Sequence, residues 1–125
     1  MPDTSPKLIR VGHSPDPDDA FMFYAMTHGK ISTGEYLFDD LLEGIESLNQ
    51  RALLAQLPVS ALSLHQYPFV ADRYAVMPVG ASMGDGYGPI VVGRNSTFDA
   101  AGSIAIPGER TTAALLFKLR FGDRV

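Results

Sequence analysis

The sequence predicts an α/β fold built on a parallel sheet: one lobe, followed by the first strand–helix unit of a second. Three observations carry this. Short apolar runs with strand character alternate with segments of helical period, giving three strands and two helices within residues 7–64. The first strand passes through a Pro-punctuated turn straight into a capped helix, as parallel α/β units begin. After a glycine-rich break, a strand–turn–helix pattern restarts at residue 103.

Taken in order, Leu8, Ile9 and Val11 form the first strand and residues 12–17 a turn. Asp16 is the best N-cap, since its carboxylate can accept from free amides of the first turn. Pro17 follows at the first helical position, where its missing N–H costs nothing. Asp18 and Asp19 favour the positive end of the helix dipole. Phe21, Tyr24, Ala25 and His28 recur at helical spacing, and Gly29 is the stop. Residues 35–39 read as a second strand and residues 41–56 as a helix with Ile45, Leu48 and Ala52 on one face. Asn49 shares that face, so its amide must reach a backbone partner or the cleft. Residues 59–64 form a third strand, 65–72 a short helical turn and 74–79 another extended run. Such alternation predicts right-handed crossovers.

Residues 80–89, GASMGDGYGP, hold four glycines and precede a short strand at 90–93. Residues 94–102 are polar and turn-like, a hinge. The predicted division is a first lobe over 1–94, a linker over 95–102 and the start of a second lobe over 103–125. In that last piece residues 103–106 are strand, 107–110 turn and 111–120 helix. One strand–helix unit cannot bury its own faces, so it either docks on the first lobe or begins a second lobe that is cut short, and the cut is the expectation. Leu115, Leu116 and Leu119 would then leave a sticky face open to self-association.

Composition narrows the function. The 125 residues suit one ordinary domain, 46% hydrophobic and 19% charged, with a net charge of −4 and no basic run. Nucleic-acid binding is disfavoured, because phosphate neutralisation needs clustered cations. The absence of cysteine excludes disulfides, Cys-ligated zinc and thiol catalysis. The start MPDTSPK lacks the apolar core of a signal peptide, and no run approaches membrane-span length. A cytoplasmic protein with no membrane partner is expected.

Of the local motifs, Gly80-Ala81-Ser82-Met83-Gly84 matches the serine nucleophile elbow. That motif needs a helix directly after the serine and a later histidine, and none follows His65. Gly84, Gly86 and Gly88 mimic a dinucleotide-binding loop at the wrong spacing. Asp16-Pro17-Asp18-Asp19 lacks the glycine and terminal glutamate of a calcium loop. With His13, His28 and His65 scattered, no metal site is expected. The turn after the first strand would point Ser14, Asp18 and Asp19 toward a cleft, or simply cap a helix. In Pro107-Gly108-Glu109-Arg110-Thr111-Thr112-Ala113, a helix N-terminus offers two hydroxyls and free amides. That suits a carboxylate; the alternative is a Thr N-cap with a spare hydroxyl.

Together, HSPDPDDAFMFYAMTHGKI, EGIESLNQRAL, SALSLHQY, GASMGDGYGPIVV and PGERTTA resemble the 1,4-dihydroxy-6-naphthoate synthase family of menaquinone biosynthesis by the futalosine pathway. The similarity is colinear from about Leu8 to about Leu119. It implies a type 2 periplasmic-binding-protein-like fold with ligand between two lobes. It implies a lyase that splits cyclic dehypoxanthine futalosine, a small-molecule carboxylate substrate, and no metal or organic cofactor. By the same resemblance Ala61, Leu62 and Ser63, with Thr112 and Ala113, contact the ligand; Ser14, Asp19 and Thr111 are weaker cleft candidates. The family's catalytic histidine belongs to the second lobe, and none of His13, His28 or His65 maps onto it. The catalytic residue is thus unassigned, and this chain by itself is expected to be inactive. Two further readings share the fold: a cytoplasmic or periplasmic-type solute-binding protein, and the chorismate dehydratase of the same pathway.

Overall fold

The computed structural model describes residues 5–94 and 103–122. Its centre is β1 (Lys7–His13), flanked by β2 (Tyr36–Leu42) and β3 (Val59–Ser60) in a sheet of order β2-β1-β3, both pairings parallel. Lys7 stands opposite Tyr36 and His13 opposite Leu42, and Glu43 N–H extends the ladder to the His13 carbonyl at 3.1 Å. The helices are α1 (Pro17–Thr27), α2 (Ile45–Leu53) and α3 (Thr112–Phe121), with a 3-10 turn at Tyr67–Phe69. The expected parallel α/β arrangement is present.

The turn into α1 differs in detail from the expectation. Asp16 is the N-cap and Pro17 opens the helix, but the Asp16 side chain caps nothing. Its carboxylate instead accepts from the Ser14 hydroxyl at 2.6 Å. The inward face also differs, because the segment Phe21-Met22-Phe23-Tyr24 is apolar all round and its period does not choose a side. Phe21 is 88% exposed and Tyr24 53%, whereas Phe23 stacks on His13 with centroids 4.5 Å apart. The helix stops where expected, with Gly29 at φ +62.

α2 begins at Ile45 rather than 41, because residues 36–42 are drawn into the ladder with β1. A bidentate pair, Arg51 Nε and Nη2 to the two oxygens of Glu43 at 2.7 and 2.6 Å, ties the helix to the end of β2. These bonds hold the Glu43 carboxyl below its usual range. Leu48, Asn49 and Ala52 are fully buried, and with Val11, Leu57, Val70 and Ala114 they make the core. Gly12 permits the packing. A Cβ there would lie 2.6 Å from a Leu57 methyl and 2.8 Å from a Leu48 methyl.

Beyond Leu57 the expected strands are reduced. β3 has two residues instead of six, and residues 74–79, 90–93 and 103–106 run as irregular backbone. Strand propensity is not enough without a ladder to join. Tyr74 still anchors its segment, its hydroxyl donating to the Leu57 carbonyl at 2.7 Å. The glycine-rich loop lies over the start of α1, with Gly80 against Met22. There the Ser82 hydroxyl, then the backbone amides of Asp18 and Asp19, hold the Asp18 carboxyl below its ordinary 3.8. No helix starts directly after Ser82, since residues 83–94 are irregular or turn, so the nucleophile-elbow match has no structural counterpart. The expected linker, 95–102, lies outside the described residues. No helix among them is long and apolar enough to cross a membrane.

Two outcomes follow from this packing. Gly12→Ala overpacks the α2–sheet contact and should lower stability by about 1–3 kcal/mol, read as a lower urea midpoint at unchanged slope. Because the Asp18 pKa is lowered on folding, its contribution is present above about pH 3.8 and lost as pH falls through the lowered value. Ser82→Ala should move the Asp18 carboxyl titration up toward 3.8, followed by carbon-13 NMR; an unmoved titration would mean that the loop does not dock there.

Candidate functional site

Three segments carry the candidate residues; two of them follow the carboxyl ends of β1 and β3, where a parallel sheet offers its crevice, and the third is the start of α3. The first is the turn at residues 14–19. Ser14 N–H donates to Asp19 Oδ2 at 2.7 Å, and the Ser14 hydroxyl both donates to Asp16 and accepts the Asp16 N–H. Ser14 and Asp19 are buried, so their polar groups are engaged in building the turn. Asp18 is exposed beside Ser82.

His13, at the end of β1, is buried rather than at the surface. Its Nδ1 lies 2.9 Å from the Ser14 carbonyl, which can only accept, so Nδ1 carries the proton. Its Nε2 lies 3.6 Å from Asp40 Oδ1. Both line a cavity of about 160 Å³ between α1 and the sheet, together with Tyr24 and Thr27. No cluster of three or more metal-ligating side chains occurs among the described residues.

The second segment follows β3. Ala61 N–H donates to the Gly12 carbonyl at 2.7 Å, carrying the chain along β1 for one residue more. Then Asn49 of α2 takes over. Its Oδ1 accepts Ser63 N–H at 3.0 Å, and its Nδ2 donates to Ser63 Oγ at 3.1 Å. Of the two destinations the sequence leaves open for this amide, the structure gives the backbone partner and adds the Ser63 hydroxyl. Ala61 and Leu62 are half-buried beside it.

The third segment is the N-terminus of α3. Thr111 is the N-cap: its hydroxyl accepts Ala114 N–H at 3.2 Å and donates to the Gly108 carbonyl at 2.8 Å. That hydroxyl is fully used. The following two residues, Thr112 and Ala113, open the helix, so their N–H groups have no acceptor within it. The Thr112 hydroxyl is the second oxygen at this end, and Thr112 and Ala113 are both half-buried.

The last two segments are joined to each other. His65 Nδ1 lies 3.3 Å from the Thr111 carbonyl, and the Arg110 guanidinium sits over the Phe69 ring at 4.7 Å. α2 contributes from below. Glu46 presses its carboxylate onto Gly108, where a Cβ would lie 1.9 Å from Oε2. Gly108 is at φ +152, so no side chain fits there on either count. The structure therefore brings the Ala61–Leu62–Ser63 stretch and the start of α3 onto one frame, while Ser14 and Asp19 serve a neighbouring turn.

Sequence reasoning missed three residues here. His65 is read as isolated, because its partner is a backbone carbonyl with no sequence mark. Glu46 lies within the helix read over 41–56, and nothing in the sequence links it to Gly108. Gln66 is fully buried, with neither amide atom hydrogen-bonded, and nothing in the spacing marks it.

The family model described as menaquinone biosynthesis matches residues 9–125. The chain is 41% identical over 114 residues to a Thermus thermophilus 1,4-dihydroxy-6-naphthoate synthase, covering 90% of this chain and 42% of that protein. It is 35% identical over 122 residues to the enzyme of the same name from Streptomyces coelicolor, covering 97% and 43%. A crystal structure of an Archaeoglobus fulgidus protein superposes with a TM-score of 0.76 at 44% identity, over 96% of this chain and 44% of the other. The chain thus spans less than half the length of each of these relatives. On the strength of the family match across nearly all its residues, the chain belongs to the menaquinone-biosynthesis family.

Proposed function

We propose that this chain supplies the ligand-binding lobe of a 1,4-dihydroxy-6-naphthoate synthase, a carbon–carbon lyase that splits cyclic dehypoxanthine futalosine and releases the dihydroxynaphthoate. The observation that carries the reading is the N-terminus of α3. Two N–H groups with no acceptor inside the helix, the positive end of the helix dipole and Thr112 with its hydroxyl lie at one helix end, where a carboxylate would be stabilised. His65 holds this end against the segment bearing Ala61, Leu62 and Ser63, so one ligand can touch both. In this reading the fold is type 2 periplasmic-binding-protein-like, with residues 1–94 as one lobe and 103–125 as the start of the other. The protein is cytoplasmic and works without metal or organic cofactor.

The histidines of this chain are otherwise occupied. His13 is stacked on Phe23, His65 binds the Thr111 carbonyl, and His28 caps α1. By the family resemblance, the general base belongs to the part of the relatives that this chain does not span. Chemistry at the active site divides accordingly: this chain orients the carboxylate, and the part of the protein beyond it supplies the proton acceptor.

The test is turnover. A protein of the relatives' length carrying this sequence should convert cyclic dehypoxanthine futalosine to 1,4-dihydroxy-6-naphthoate, measured by chromatography. Binding without turnover would instead indicate a solute-binding protein. In the same protein Thr112→Val keeps shape and removes the hydroxyl, and should weaken carboxylate binding by about 1–3 kcal/mol in calorimetry. Unchanged affinity would leave Thr112 with no ligand role. We further propose that the 125-residue chain self-associates through α3, where Leu116 is 45% and Leu119 74% exposed. Sedimentation should show species heavier than a monomer, shifted to monomer by Leu119→Lys.

A further inference from the structure

We infer that Asn49 is a positioning residue that turns the Ser63 hydroxyl into an outward hydrogen-bond donor, and thereby selects a carboxylate over a neutral group of the same shape. The inference deepens the proposed function and rests on the reading that Ser63 touches the ligand.

The geometry leaves one assignment of protons. A backbone N–H can only donate, so the Asn49 atom 3.0 Å from Ser63 N is the carbonyl oxygen. The other terminus of that amide is then the NH₂ group, and it lies 3.1 Å from Ser63 Oγ. An NH₂ group can only donate. Ser63 Oγ therefore accepts from Asn49, and its own proton points elsewhere. No acceptor among the described residues takes that proton, and Ser63 is 9% exposed. Asn49 is fully buried, clamped between neighbours in the core, so rotation of the amide would leave Ser63 N–H facing an NH₂ group. Such a mismatch is costly without water.

A donor of fixed direction matches an oxygen acceptor, and a charged one best. The start of α3 offers donors too, at Thr112 and Ala113, on the segment that His65 joins to this one. Both ligand-facing segments therefore present hydrogens, and the ligand must present lone pairs.

The experiment uses the full chain, with 2-naphthoate and its neutral isostere 2-naphthamide as probes. Asn49→Asp keeps an acceptor for Ser63 N–H but replaces the NH₂ donor with a second acceptor. The Ser63 proton then turns inward, and Oγ shows only lone pairs to the ligand. Naphthoate binding should fall roughly tenfold in both Ser63→Ala and Asn49→Asp, with naphthamide affected less. The double variant should be no weaker than Ser63→Ala alone. If Asn49→Asp weakens naphthoate equally in the Ser63→Ala background, the effect is plain charge repulsion and the inference is overturned.

Naphthoate binding that is untouched by Ser63→Ala also overturns it, while leaving the functional reading intact. Failure of the unaltered chain to bind naphthoate at all also overturns it, and turnover by the protein of the relatives' length then decides the functional reading separately. Should Asn49→Asp not fold, the Asn49 side-chain amide protons decide by NMR. Slow exchange in the wild type that is lost in Ser63→Ala supports the bond to Oγ, and fast exchange in the wild type overturns it.

Discussion

The close approach of α2 to β1 is the constraint on which the other contacts depend. It needs bare backbone at Gly12, because the Leu48 and Leu57 methyls occupy the volume of a side chain there. Leu48 is set by that contact, and its neighbour Asn49 is thereby delivered to Ser63. Ser63 fixes the segment from which His65 reaches the Thr111 carbonyl. A hydrophobic seam thus feeds a series of directed polar bonds. The apolar part supplies most of the free energy, being proportional to area and indifferent to angle. The polar part supplies direction.

Polar residues near the crevice fall into two groups by what their hydrogens do. Ser14, Asp19 and Thr111 are buried and engaged by partners within their own turns. They pre-form the ends of α1 and α3, which lets those ends hold shape without a ligand. Ser63 and Thr112 retain donor capacity that the fold does not absorb. Preorganised donors of this kind lower the ordering cost of binding.

Much of the first half of the fold was legible in the sequence, because its signals are local and mutually consistent. Pro17 after Asp16 marks the start of α1, Gly29 marks its stop, and the order strand–helix–strand–helix–strand predicts the parallel sheet. The errors have a common origin in partners distant along the chain. The helical period of residues 41–56 is genuine, yet Leu41 and Leu42 pair with Gly12 and His13, and ladder pairing prevails over period. The run 59–64 has strand composition, yet Ser63 N–H goes to Asn49 rather than to a neighbouring strand. At the candidate site, the capping threonine pair was visible as a motif. Which hydroxyl caps and which remains was not, since Thr111 is distinguished only by the position of the Gly108 carbonyl.

Glu46 and Gly108 are separated by sixty-two positions in the chain (108 − 46), yet they compete for the same few cubic ångströms. A side chain at 108 is admissible only if residue 46 becomes shorter and the backbone leaves φ +152. The two positions should therefore be linked through evolution: lineages that keep glycine at 108 are free to keep a long acid at 46, and those that lose the glycine should lose the long acid as well. Such pairwise covariation would be the sequence record of a helix and a loop built around one shared volume.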